Sequence, residues 1–375
     1  MFTSNPAFTL LKENYVFKTV TQKKAQFLQQ HPESELLDLG IGDITEPLLA
    51  EITQAIQTAA KEMQQIPIGY APYSGYDFLK KALNFPFDLD EIFISDGAKS
   101  ETAQIQELFT QNTIVALMDP VYPVYLESNL LSNHRVVWMP CTKENGFIPS
   151  TPEEKVDVIY LCHPSNPTGM AFSKEDLQAF VDYALENNAL LIVDVAYQSF
   201  VQENIPKSIY EIEGARKCAI EIGSFSKSYG FTGLRLGYTI VPKTLLWPLN
   251  AMWQKLKTIK NNGTAYIIQR AGEAALKMPS LAKAIMQRTH AFRNALMEMG
   301  WEVYGGVHSP YLWIDTKTDD WEFFDFLLKE RQIISTPGSG FGKNGKEFVR
   351  FSCFANKKTL LGATQRLKNA LSCHR

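Results

Sequence analysis

Five apolar runs, each ending in a short polar motif, constrain this chain more than any other feature. Glu91–Ser95 (EIFIS) leads into DGAK at 96–99, Thr113–Met118 (TIVALM) into DPVYP at 119–123, and Val156–Cys162 (VDVIYLC) into HPSNPTG at 163–169. Leu190–Val193 (LLIV) leads into DVAY at 194–197, and Ala219–Ile222 (AIEI) into SFSK at 224–227. A sixth run, Leu236–Val241 (LGYTIV), follows. Runs this short and rich in β-branched residues read as strands covered on both faces. Helical patterns lie between several of them, clearest over Ser173–Asn187, where Ser173 and Asp176 predict a capping box. The alternation predicts an α/β fold with a mostly parallel sheet. Ligands in such sheets bind beyond the carboxyl ends of the strands, so the five motifs are predicted to converge on one site.

Composition narrows the function of that site. The 375 residues leave room for two or three cores and a cleft between them. Lys and Arg total 37 against 40 Asp and Glu, a net charge of −3, which supplies no basic field for a nucleic acid. No stretch approaches 18 uninterrupted apolar residues, and the first twenty carry polar and charged residues where a signal peptide has its apolar core. No membrane association and a cytoplasmic location are therefore expected. The five cysteines, at 141, 162, 218, 353 and 373, never fall at CxxC spacing and read as free thiols. The six histidines show no HExxH or paired spacing, so no metal centre is expected.

The ordered motifs resemble the fold-type I pyridoxal 5′-phosphate (PLP) aminotransferases of the aspartate aminotransferase superfamily. The likeness runs from LGIGD at 39–43, through the five strand-end motifs, to FVRFS at 348–352. Within that superfamily LGIGDITEP, SDGAK and TPGSGFG are most similar to the LL-diaminopimelate aminotransferase group. The resemblance implies a large PLP-binding domain over 45–265, with a mostly parallel seven-stranded sheet between helices. It also implies a smaller α+β domain built from both chain ends, 1–44 and 266–375, with an N-terminal arm. An amino acid and a 2-oxo acid are the implied substrates, LL-2,6-diaminopimelate and 2-oxoglutarate in first place, within lysine and peptidoglycan precursor synthesis. A homodimer with shared active sites is implied as well.

The same resemblance distributes roles among the motifs. Lys227 would carry the cofactor covalently and shuttle the proton, since that chemistry needs a positioned amine. Ser224, Ser226 and Arg235 suit a phosphate by donor count and charge, with the turn at Gly97, Ala98 and Lys99 adding backbone N–H groups. Asp194 would keep the pyridine nitrogen protonated, Tyr197 and Asn166 would share the cofactor's 3′-oxygen, and Tyr122 would stack on the ring. Arg350 would bind the substrate α-carboxylate, helped by the Gly42 N–H. Tyr70 in GYAPYSG would reach across the dimer to the neighbouring phosphate, and Tyr15 in NYVF would cover the entrance.

Two positions depart from the diaminopimelate group. Tyr73 stands where that group has an acidic residue, and Tyr266, in NGTAY, where it has a carboxamide. The segment between Tyr76 and Glu91 is short for the group. Losing charged partners weakens recognition of a zwitterionic substrate terminus, so an aminotransferase for an aromatic or other apolar amino acid is the competing reading. A PLP lyase shares the same cofactor cup. PLP-binding transcription regulators carry an appended basic domain for which residues 1–40 are too few.

Overall fold

The computed structural model describes residues 4–11 and 15–368. After a short strand, β1 (Leu37–Asp38), come the strands of the main sheet. These are β2 (Ile92–Ser95), β3 (Ile114–Asp119), β4 (Arg135–Pro140), β5 (Val158–Cys162), β6 (Leu190–Asp194), β7 (Ala219–Ser224) and β8 (Gly237–Ile240). They form one seven-stranded sheet in the order β2-β8-β7-β6-β5-β3-β4. Pairing is parallel from β7 through β4, while β8 is antiparallel to both of its neighbours. Since β8 reverses direction twice, β2 runs the same way as β7. All five motif-bearing strands therefore point their carboxyl ends to one edge, as the sequence predicts.

The central strands β5 and β6 are buried at every position, which is why they read as continuous apolar runs rather than alternating ones. Helices on either side complete the layers. Lys174–Asn187 begins at Ser173, whose Oγ accepts from the Asp176 N–H at 3.0 Å while Asp176 accepts from the Ser173 N–H at 2.8 Å. The predicted capping box is present. No run in the sequence announces β4, because as an edge strand (RVVWMP) it buries Met139 alone and leaves Arg135 and Trp138 exposed.

Strands β9 (Val303–Gly305), β10 (Tyr311–Asp315), β11 (Ile333–Ile334), β12 (Thr336–Pro337) and β13 (Phe348–Ser352) follow. Four of them form a second sheet in the order β12-β13-β10-β9. β1 pairs in parallel with β11, and Leu39 bridges β11 and β13 through its backbone: its N–H donates to Ile334 O and its C=O accepts from the Ser352 N–H. Leu37 and Leu39 share a core with Leu312, Val349 and Phe351. The turn at 40–43 is thereby held against the β13 strand that carries Arg350.

The helix Tyr266–Ala275 packs on Ala50–Gln65, and its buried Ala271 and Ala275 join Ile94, Leu236 and Tyr238 in one apolar cluster. That cluster belongs with the main sheet. We propose that the domain boundary follows this helix instead of preceding it at 265/266. Among the described residues, no helix is long and apolar enough to cross a membrane, and no cluster of His, Cys, Asp and Glu could hold a metal ion. Cys141, Cys162, Cys218 and Cys353 are free and buried, and Cys373 lies outside the described residues.

Candidate active site

A cavity of about 510 Å³ opens at the carboxyl edge of the main sheet. Its walls include Ala98 and Lys99 after β2, Tyr122 after β3, Asn166 after β5, Asp194 and Tyr197 after β6, and Ser224, Ser226 and Lys227 after β7. Arg235, Tyr15, Gly42 and Arg350 complete it from four further segments. Gly97 abuts the wall through Arg235.

Lys227 lies in a single helical turn, Ser226–Tyr229, immediately after β7. Its amine donates to Gly42 O and faces the ring of Phe354 at 5.2 Å. Burial pushes this amine down to about 8; Asp43 opposes the shift, and the positive charges of Arg350 and Arg235 add to it. At pH 7 about a tenth of such amines are neutral, a few hundredfold more than for an ordinary lysine, and the neutral form is the nucleophile.

Asp194 ends β6 with its carboxylate fixed by two neutral donors. The Tyr125 phenol donates to Oδ2 at 2.6 Å and the Ala196 N–H to Oδ1 at 2.9 Å. Burial raises its pKa, and these two bonds oppose the rise. Among the described residues no lysine or arginine forms an ion pair with this pocket-lining carboxylate, so a protonated ring nitrogen placed there gains a full charge partner.

A basic corner lines the same cavity. Arg235 Nη1 donates to Ser226 Oγ at 3.3 Å, and the Ser226 N–H donates to Ser224 Oγ at 3.1 Å. Arg235 adopts a left-handed backbone, φ 65°, an uncommon state for a residue with a Cβ. Gly97 sits against its guanidinium with φ +121°, and a Cβ there would lie 2.3 Å from Arg235 Nη2. The positive φ favours glycine at 97, and a Cβ there would displace the end of the Arg235 side chain.

Arg350 is 1% exposed. Nη1 donates to Asn166 Oδ1 and Nη2 to Gly40 O, both at 2.7 Å. Rings of Tyr311, Phe341 and Phe17 surround its guanidinium at 4.5, 4.9 and 5.4 Å, while Nε has no hydrogen-bond partner among the described residues. Asn166 also reaches Tyr197, with Nδ2 donating to the phenol at 3.4 Å. At the entrance Tyr15 is hydrogen-bonded to Tyr122, and Lys99 Nζ stands 5.9 Å from the Tyr15 ring.

Residues 34–366 match the family Aminotransferase class I and II. The chain belongs to that family. It is 44% identical to the LL-diaminopimelate aminotransferase of Agathobacter rectalis over 402 residues, covering 98% of this chain and 100% of the relative. It is 42% identical to the LL-diaminopimelate aminotransferase of Azobacteroides pseudotrichonymphae, covering 99% of each. Among solved structures, the L,L-diaminopimelate aminotransferase from Chlamydomonas reinhardtii matches with a TM-score of 0.93 at 35% identity, over 98% of each chain.

The donor set of this aminotransferase fits a phosphorylated pyridine aldehyde. An arginine with two serines suits the phosphate, a buried carboxylate suits the ring nitrogen, and a depressed lysine suits the aldehyde. Three predicted residues stand outside its own pocket: Tyr70 is 86% exposed and Tyr73 49% exposed. Tyr266 starts its helix between Glu62 and Arg270, donating to Glu62 Oε2 at 2.6 Å and accepting from Arg270 Nε at 2.9 Å.

Sequence reasoning missed Tyr125 and Tyr311. Tyr125 had a faint signal, one helical turn beyond Tyr122 in DPVYPVY. Tyr311 had none, because SPYLWID reads as an ordinary core strand.

Proposed function

We propose that this aminotransferase uses PLP to move an amino group between LL-2,6-diaminopimelate and 2-oxoglutarate. The observation that carries the cofactor assignment is the depressed, buried amine of Lys227 sharing one pocket with Asp194 and the Arg235–Ser226 corner. The substrate assignment is supported by relatives named LL-diaminopimelate aminotransferase at 44% and 42% identity over nearly full length.

Bound PLP supplies an electron sink for the pair left at the substrate Cα. The chain's own residues then divide the work. Lys227 Nζ takes and returns the Cα proton. Arg350, with the Gly42 N–H, holds the α-carboxylate so that the Cα–H bond faces that amine. Asp194 holds the proton on the ring nitrogen. Tyr197 and Asn166 hold the 3′-oxygen, and Ser224, Ser226, Arg235 and the Gly97–Lys99 backbone hold the phosphate. Tyr122 covers one face of the ring, and Tyr15 narrows the entrance.

We further propose a homodimer in which the face bearing Tyr70, Tyr73 and Tyr266 meets the partner's pocket. Tyr266 brings a carboxylate and a guanidinium to that face through Glu62 and Arg270. A substrate whose far end carries both charges suits such a pair.

Comparing kcat/KM for LL-diaminopimelate, glutamate and phenylalanine with one oxo-acid acceptor tests the substrate. Diaminopimelate is expected to rank first; a tenfold preference for phenylalanine, about 1.4 kcal/mol, rejects the assignment. Mixing inactive Lys227→Ala with inactive Tyr70→Ala tests the shared sites. Heterodimers are expected to restore about a quarter of the native sites, because one site in each random heterodimer regains both residues. A mixture no more active than its components removes Tyr70 from the partner's site.

A further inference from the structure

We propose that Tyr311 is a positioning residue for transamination: its hydroxyl donates to Tyr197 and so leaves the Tyr197 proton free for the cofactor. The proposal rests on the reading of Tyr197 as a cofactor ligand given above. Tyr311 begins β10 in the second sheet, paired with Ser352 of β13, and it is 1% exposed. Its oxygen lies 2.9 Å from the Tyr197 oxygen, and the two rings meet edge to face at 5.2 Å.

Distance alone leaves the donor open, since either phenol could give its proton. The neighbours decide it. Arg350 Nη1 occupies Asn166 Oδ1 at 2.7 Å, which fixes the Asn166 amide so that Nδ2 faces Tyr197. The Tyr197 oxygen is thus already an acceptor. Among the described residues, that oxygen is also the hydrogen-bond partner of the Tyr311 hydroxyl. A buried hydroxyl proton takes an acceptor within reach; with the cofactor's 3′-oxygen as the acceptor for Tyr197, as read above, Tyr311 gives its proton to Tyr197. Tyr197 then accepts twice and keeps its own proton for the pocket. Accepting two bonds polarises that O–H and strengthens it as a donor.

Two packing features hold the arrangement. The Arg350 guanidinium lies 4.5 Å over the Tyr311 ring. Gly42 lacks a Cβ that would come within 2.1 Å of the Tyr311 hydroxyl. Among the described residues, Arg350, Cys162, Asp43 and Tyr122 are charged or titratable groups that interact with the pair, and Tyr311→Phe leaves each of these side chains in place.

The test is a pH titration of the visible absorbance of PLP-loaded protein for native enzyme, Tyr311→Phe, Tyr197→Phe and the double variant. A donor to the cofactor's 3′-oxygen lowers the pH of that transition, so Tyr311→Phe is expected to raise it by about half a unit to one unit. Tyr197→Phe is expected to raise it further, and the double variant to match Tyr197→Phe alone, because Tyr311 acts through Tyr197. An unshifted Tyr311→Phe, or shifts that add in the double variant, overturns the proposal. An unshifted Tyr197→Phe overturns the underlying ligand assignment instead, and the proposal with it. Phenylalanine keeps the ring under Arg350; should that variant not fold, Tyr311→Met carries the same expectation and the same overturning results.

Discussion

Lys227→Ala is expected to lower turnover by about ten-thousand-fold or more while the fold survives, because one amine both anchors the cofactor and moves the Cα proton. Loss of turnover alone would not place the amine, so attachment is read separately. Borohydride reduction of the PLP-loaded native protein, followed by peptide mapping, is expected to put the label in the SFSK peptide. Label on Lys99, the other lysine of the pocket wall, would overturn the assignment. The pH dependence carries a sign as well. Burial lowers the amine to about 8 from its ordinary 10.5, and the neutral form is the one that attacks an aldehyde. The rate of attachment to apo-protein is therefore expected to rise about tenfold per pH unit below 8 and to level off above it. A rate still climbing past pH 10 would mark an ordinary exposed lysine.

Asp194→Ala is expected to slow Cα deprotonation by about a thousandfold, the scale of removing one preorganised charge from a water-poor site. The carboxylate is held by Tyr125 and the Ala196 N–H, so its orientation is set before any ligand arrives. Single-turnover measurement isolates the step: mix PLP-loaded variant with amino donor and follow loss of the pyridoxal absorbance. A near-native single-turnover rate would remove Asp194 from the chemistry. Asp194→Glu is expected to recover part of the rate, because the charge returns but the longer side chain disturbs the bond to Tyr125.

Much of this fold was legible because parallel strands buried on both faces must be written in apolar residues. LLIV and VIYLC announced themselves, as did the polar residues that end them. The edge strand β4 was not legible, since a strand with one neighbour can leave Trp138 and Arg135 in solvent. The site divides the same way. Residues in strand-end motifs, from Gly97 to Arg235, could be found by position along the chain. Tyr311 and Gly40 enter from a second sheet and its flanking turn, and only folding brings them within reach of Tyr197 and Arg350. The helix at Tyr266 shows the converse: its place in the chain suggested the smaller domain, but its alanine-lined face packs on Ala50–Gln65.

The two bonds that Arg350 makes to Asn166 and Gly40 set the guanidinium in place without using up its donors. They engage two of its five N–H groups, so a carboxylate can pair with the remaining donors while both 2.7 Å bonds stay intact. A planar carboxylate offering two oxygens can take up two of those donors at once, which a ligand with a single oxygen does less well. The Asn166 amide can therefore stay turned toward Tyr197 whether or not a carboxylate is bound.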